Sequence, residues 1–122
     1  MHRRRTTLLT VIAASLVACG GAATLDGETA ADVERGEELF QANCALCHGP
    51  QGQGTNNGPP LVHEVYEPGH HSDASFHRAV EQGVAAHHWD FGDMPPIGGL
   101  DTAQVDDIVA WVRERQREAG ID

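Results

Sequence analysis

Cys44-Ala45-Leu46-Cys47-His48 sets two cysteines three positions apart, with a histidine directly after the second. This is the spacing of covalent c-type haem attachment. On a helical turn, residues three and four apart share a face. Cys44 and Cys47 can therefore reach the two vinyl groups along one porphyrin edge, and His48, on the same face, can bind the iron as proximal ligand. Other readings of the pair explain less. A thioredoxin-type redox pair needs a βαβ setting, and no strand pattern flanks the motif. A zinc site needs two further ligands, and there is no second C-x-x-C. A plain disulfide leaves His48 without a reason.

Iron held by histidine on one side takes a sixth ligand on the other, and thioether sulfur is an established one. The chain has two methionines, Met1 and Met94, and Met1 leaves with the export signal described below. Met94 is followed by Pro95 and Pro96, which fix the backbone and keep it out of a helix. A rigid strap suits a weak ligand. The competing readings are that Met94 fills core space, or that one of His63, His70, His71, His77, His87 and His88 is the sixth ligand. An axial histidine also needs its second ring nitrogen held by an acceptor. The carbonyl of Pro59, in Gly58-Pro59-Pro60-Leu61, is the candidate partner for His48.

Three helices are expected around this site. The first runs over Asp32 to Asn43, with Val33, Gly36, Phe40, Cys44 and Cys47 on one stripe and Asp32 as its cap. The second covers Ser72 to Gln82, with Phe76, Ala79, Val80 and Gly83 on one face and Gly83 at C′. The third covers Asp101 to Ala119. Asp101 and Gln104 form its capping box, and Val105, Ile108, Val109 and Val112 form its apolar stripe beside Trp111. Arg113, Arg115 and Arg117 lie toward its C-terminal end, where the helix dipole favours positive charge. Gly49 to Pro60 (GPQGQGTNNGPP) is a loop. It contains no G-K-[ST] and no strand precedes it, so it is not a phosphate cradle.

The N-terminal part has a different character. Arg3, Arg4 and Arg5 precede an apolar run, Leu8 to Val17, that is too short to span a bilayer. Leu16-Val17-Ala18-Cys19 resembles a bacterial lipobox, in which the cysteine is lipidated and becomes the new N-terminus. Residues 1–18 are thus expected to be a lipoprotein signal peptide, 19–31 a Gly-rich tether and 32–122 the haem domain. Cysteine usage agrees: of three cysteines, two go to haem and Cys19 is left over at the expected cleavage site.

One domain is expected from 122 residues. Aromatic content is only 5%, thin for a self-sufficient core but suited to a chain packed round a porphyrin. There are 18 acidic residues against 8 basic ones, all arginine. Without Arg3, Arg4 and Arg5 the balance is five against 18, a net of −13. Nucleic-acid binding needs a basic footprint and is excluded as a class. An acidic surface either steers the protein to a partner with a positive patch or keeps an exported protein soluble.

From Asp32 onward the chain resembles a small bacterial monohaem cytochrome c of class I. The likeness rests on Gly36-x-x-Leu39-Phe40, Cys44-x-x-Cys47-His48-Gly49, Gly58-Pro59-x-Leu61, Met94-Pro95-Pro96 and a final helix bearing an aromatic. The resemblance implies an all-α small cytochrome c fold, with about three main helices and long loops wrapped around one covalent haem c. It implies that the first and last helices cross near Gly36, that Phe40 packs against Trp111, and that the haem edge near the thioethers is exposed. The chain departs from the commonest members in lacking a lysine ring around that edge and in its many histidines.

The expected function follows from ligation. With His48 and Met94 on the two faces the iron has no open site, and thioether ligation raises the potential. The sequence thus reads as a membrane-tethered, extracytoplasmic one-electron carrier rather than an enzyme. It would be a monomer, exported and lipid-anchored on the periplasmic or extracellular side, and it would exchange electrons with redox partner proteins. Two alternatives belong to other classes: a copper-handling haem protein, and a gas sensor or peroxidase in which Met94 dissociates. The copper reading turns on His70-His71 and His87-His88, which flank the second helix and are expected roughly 15 Å apart if that helix is straight. The plainer reading places Trp89 and one of His87 or His88 beside the haem, toward a propionate.

Overall fold

The computed structural model describes residues 24–25 and 28–122. The signal segment and Cys19 lie outside the described residues. Among the described residues four α-helices follow one another: α1 (Ala30–Asn43), α2 (Ala45–His48), α3 (Asp73–Gln82) and α4 (Thr102–Glu118). A 3-10 turn, Glu64–Tyr66, lies between α2 and α3, and a two-residue antiparallel pair, Thr24–Leu25 with Glu28–Thr29, precedes α1. The architecture is the expected small all-α one. α2 is the one additional helix, a single turn set off from α1 at Cys44.

The start of α1 differs from expectation. Asp32 is not the cap; Thr29 is, and the helix begins at Ala30. The Thr29 hydroxyl accepts from the Asp32 backbone N–H at 3.2 Å, and the Asp32 carboxylate accepts from the Thr29 N–H at 2.8 Å. Asp is favoured both as N-cap and in the first turn, so its identity alone does not fix which place it takes. The hydrogen bonds from Thr29 hold the Asp32 carboxyl down to a pKa of about 2. α4 starts as expected, with Asp101 and Gln104 closing a capping box.

α1 and α4 cross at Gly36. A Cβ built there would stand 1.9 Å from the Asp107 carbonyl oxygen and 3.0 Å from the Trp111 Cβ, so only glycine lets the helices approach this closely. One turn on, the Phe40 and Trp111 rings lie 4.4 Å apart between centroids. Phe40, Trp111, Ile108 and Val112 form one buried cluster, and Val80, Val105 and Val109 form a second where α3 meets α4. Burying rings of this size dominates core energetics, and these two clusters fix where the helices stand around the site.

Arg113 also departs from the sequence reading. It lies one turn inside the helix end, 5% exposed, while Arg115 and Arg117 occupy the last turn. Its guanidinium donates to Asp73 Oδ1 (2.8 Å), the Tyr66 carbonyl (2.8 Å), Gln116 Oε1 (2.7 Å) and the His71 carbonyl (2.5 Å). Buried Gln116 donates to the Leu61 and Tyr66 carbonyls at 2.8 and 2.9 Å. Buried polar groups persist where their partners are met, and here four of the six bonds go to backbone carbonyls of the long 60–72 connection. α4 thus holds in place a stretch that has little regular structure of its own. Among the described residues, no helix is long and apolar enough to cross a membrane.

Candidate haem site

The cysteine pair sits where α1 gives way to α2. The N–H groups of Cys47 and His48 both donate to the Cys44 carbonyl, at 3.1 and 2.9 Å. The turn places Cys44, Cys47 and His48 together on the wall of one cavity of about 630 Å³, a size typical of cofactor clefts. Neither cysteine is in a disulfide. Burial pushes the Cys44 thiol up to about 11. Cys47 is exposed and its neighbour Leu46 is 84% exposed, so the chain opens to solvent on this side.

His48 is buried, and its Nδ1 donates to the Pro59 carbonyl at 2.8 Å. That bond fixes the tautomer and leaves Nε2 with a lone pair. Burial also pushes the imidazole pKa below its ordinary value, while the Pro59 contact works the other way. The loop carrying Pro59 is tied back to the motif at several points. The Gly54 N–H donates to the His48 carbonyl at 2.7 Å, and the Thr55 hydroxyl donates to the Cys47 carbonyl at 2.6 Å. Pro59 therefore meets His48 through a braced loop.

Met94 lines the same cavity and is half-buried. Its backbone exchanges two hydrogen bonds with Val84, each 2.9 Å. Gly83 makes this possible. Its backbone, φ 74° and ψ −178°, lies in a region essentially reserved for glycine, and a Cβ there would stand 2.4 Å from the Met94 carbonyl oxygen. The sequence reading took Gly83 only as the C′ residue that ends the second helix. Instead the chain leaves α3 extended and pairs with the Met94 strap.

Trp89 also lines the cavity, and its Nε1–H is buried without a hydrogen-bond partner. The Tyr66 hydroxyl is a polar neighbour but does not meet hydrogen-bonding geometry. An orphaned buried donor is uncommon and calls for an acceptor. A haem propionate is such an acceptor, so the residues present fit a haem. They offer two cysteines, a tautomer-fixed histidine, a strapped thioether, apolar walls and one donor awaiting an anion.

The histidine pairs are not about 15 Å apart. The loops at both ends of α3 fold back over the cavity, and His70 Nε2 lies 3.4 Å from His88 Nε2. The His71 ring is 5.2 Å from that of His88 and 5.9 Å from that of His87. A straight helix does separate its ends, but the residues in question lie beyond those ends, where loop direction decides. Burial pushes the pKa of His71 down, and close neighbours add to the shift. His77 stands apart, paired with Asp106 at 2.8 Å.

Comparison with known proteins points the same way as the geometry. The family model described as "Cytochrome c" matches residues 33–116. The chain is 32% identical over 111 residues to a protein called cytochrome c6 from Synechococcus sp. (strain ATCC 27167 / PCC 6312), covering 89% of this chain and 92% of that one. No solved structure matches the chain.

Proposed function

The chain belongs to the cytochrome c family, and on that premise we propose that it is an exported, lipid-anchored one-electron carrier whose haem iron is held by His48 and Met94. It carries covalently bound haem c and is an electron-transfer protein rather than an enzyme. The bound haem supplies a one-electron iron couple whose potential the axial ligands set. The protein's own part is to hold those ligands still and keep other molecules from the iron.

The observation that carries the axial assignment is the presence of two restrained donors lining one cavity. His48 is fixed through Pro59, and Met94 is fixed through Val84 and Gly83. Ligands held this firmly change little between oxidation states, which favours fast electron exchange and disfavours substrate binding at the iron. The exposed surface at Leu46 and Cys47 is the natural exit for the electron. The net charge, −10 for the whole sequence and −13 without Arg3, Arg4 and Arg5, favours a redox partner with a positive patch. Lipid attachment rests on the Leu16-Val17-Ala18-Cys19 pattern and the apolar run before it.

Met94→Ala tests the ligation. The oxidised protein should lose the weak far-red band of iron–thioether ligation, and its reduction potential should fall. An unchanged spectrum would show that another residue is the sixth ligand. Cys19→Ser tests the anchor: wild-type protein should require detergent for extraction and the variant should not. Wild-type protein recovered without detergent would refute lipidation.

A further inference from the structure

The rim of the haem cavity carries three imidazoles in contact, and electron transfer at the iron uses none of them. His70, His71 and His88 each offer a ring nitrogen, and these nitrogens all lie within 4.8 Å of one another. His70 Nε2 and His88 Nε2, at 3.4 Å, already have the separation of two ligands on one ion. Bonds of about 2.0–2.1 Å place two ligand nitrogens roughly 3.4 Å apart at the tetrahedral angle of zinc and about 2.9 Å apart at the right angle of tetragonal copper(II), a closure of about half an ångström that two exposed side chains can make. We propose that His70, His71 and His88 form a binding site for a divalent late-transition-metal ion, copper(II) foremost, at the mouth of the haem cavity.

Three features make this a built site rather than a chance meeting of side chains. First, the His71 Nδ1–H donates to the Val65 carbonyl at 2.6 Å, leaving Nε2 for the metal. Metal-binding histidines characteristically have this backbone support. Second, both loops are anchored from behind. The buried Arg113 guanidinium grips the Tyr66 and His71 carbonyls on one side. On the other, the Ala86 N–H donates to Asp93 Oδ1 at 2.9 Å, next to the Val84–Met94 pairing. Third, His70 and His88 are exposed, so an ion can enter from solvent.

The donor set selects the metal. Three imidazoles with no carboxylate among them suit copper, zinc and nickel rather than magnesium or calcium, and copper(II) stands at the top of the affinity order. Three protein ligands leave a fourth position open to water. A dication held here adds positive charge beside the haem and stabilises its reduced form. That consequence depends on the haem reading; the binding itself does not.

The test is calorimetric titration of the untagged, full-length oxidised holoprotein in detergent with Cu(II) and, separately, Zn(II). One ion per chain should bind, with copper the tighter. His70→Ala/His88→Ala should weaken Cu(II) binding by at least about 100-fold, while His77→Ala should leave it unchanged. Paramagnetic resonance of the loaded protein should report nitrogen ligands, and bound Zn(II), which is redox-inert, should raise the haem potential in the wild type but not in the double variant. Equal Cu(II) affinity in the double variant and the wild type would overturn the site. So would a changed haem spectrum in the metal-free double variant, because one of these histidines would then be serving the iron. Met94→Ala should still bind Cu(II), which keeps failure of the axial assignment distinct from failure of this site.

Discussion

Gly36→Ala adds one methyl group at the tightest point of the fold. The new Cβ would sit 1.9 Å from the Asp107 carbonyl oxygen and 2.6 Å from its carbon. Both are backbone atoms of α4, so no side-chain rotation relieves the clash and the two helices must separate. Overpacking of this kind costs about 1–3 kcal/mol, and a clash with backbone belongs at the upper end. Alanine gives back about 0.8–1 kcal/mol in helix propensity. The net loss is therefore about 2 kcal/mol, which for a domain of under 100 residues lowers Tm by roughly 8–16 °C. Thermal unfolding of the oxidised holoprotein, followed by far-ultraviolet circular dichroism, measures it. Gly98→Ala is the control, because nothing lies within 4 Å of a Cβ at that position, and it should change stability by less than about 0.5 kcal/mol. A Gly36→Ala protein as stable as wild type, or more stable, would refute the close crossing of α1 and α4.

Other perturbations probe the strap, the loop anchor and the helix cap. Gly83→Ala forces a Cβ toward the Met94 carbonyl from a strained backbone, at a cost of about 1–3 kcal/mol; cyanide should bind the oxidised variant more readily than wild type, and equal affinity would mean that Gly83 does not brace Met94. Arg113→Met leaves the His71 carbonyl and Gln116 Oε1 without the donor that Arg113 supplies, while Gln116 still serves the Tyr66 carbonyl and Asp73 is left exposed to solvent; unfolding should be easier by about 1–3 kcal/mol, and a loss below about 0.5 kcal/mol would show that other donors hold the loop. The Asp32 carboxyl, depressed to about 2 by Thr29, adds stability above its ordinary pKa of about 4 that fades as pH falls toward 2. Asp32→Asn should therefore flatten the acid side of the stability profile, and an unchanged profile would argue against the capping box.

The parts of the site that depend on local chemistry were legible in the chain. The spacing of Cys44, Cys47 and His48 fits the turn that places them on one wall, and the Pro59 carbonyl meets the His48 ring. The crossing at Gly36 and the Phe40–Trp111 contact followed from family resemblance, and both are present. What escaped the sequence depends on where loops travel. Arg113 sits among charges that all suit a helix C-terminus, and nothing local marks it as the one that turns inward to grip two distant carbonyls. The histidine pairs lie outside α3, so helix geometry could not say that both loops return to the same rim. Thr29 fell inside a stretch whose small, polar composition reads as tether, although its hydroxyl satisfies one of the helix's first orphan donors, the Asp32 N–H.

The central claim is that both axial positions of a covalent haem are taken by this chain's own side chains, leaving a carrier of electrons and not a binder of small ligands. Exposure of the reduced wild-type protein to carbon monoxide at neutral pH tests this most directly, with the absorption spectrum read before and after. Ligation by His48 and Met94 predicts no change on mixing, whereas prompt formation of a carbon monoxide complex would contradict it.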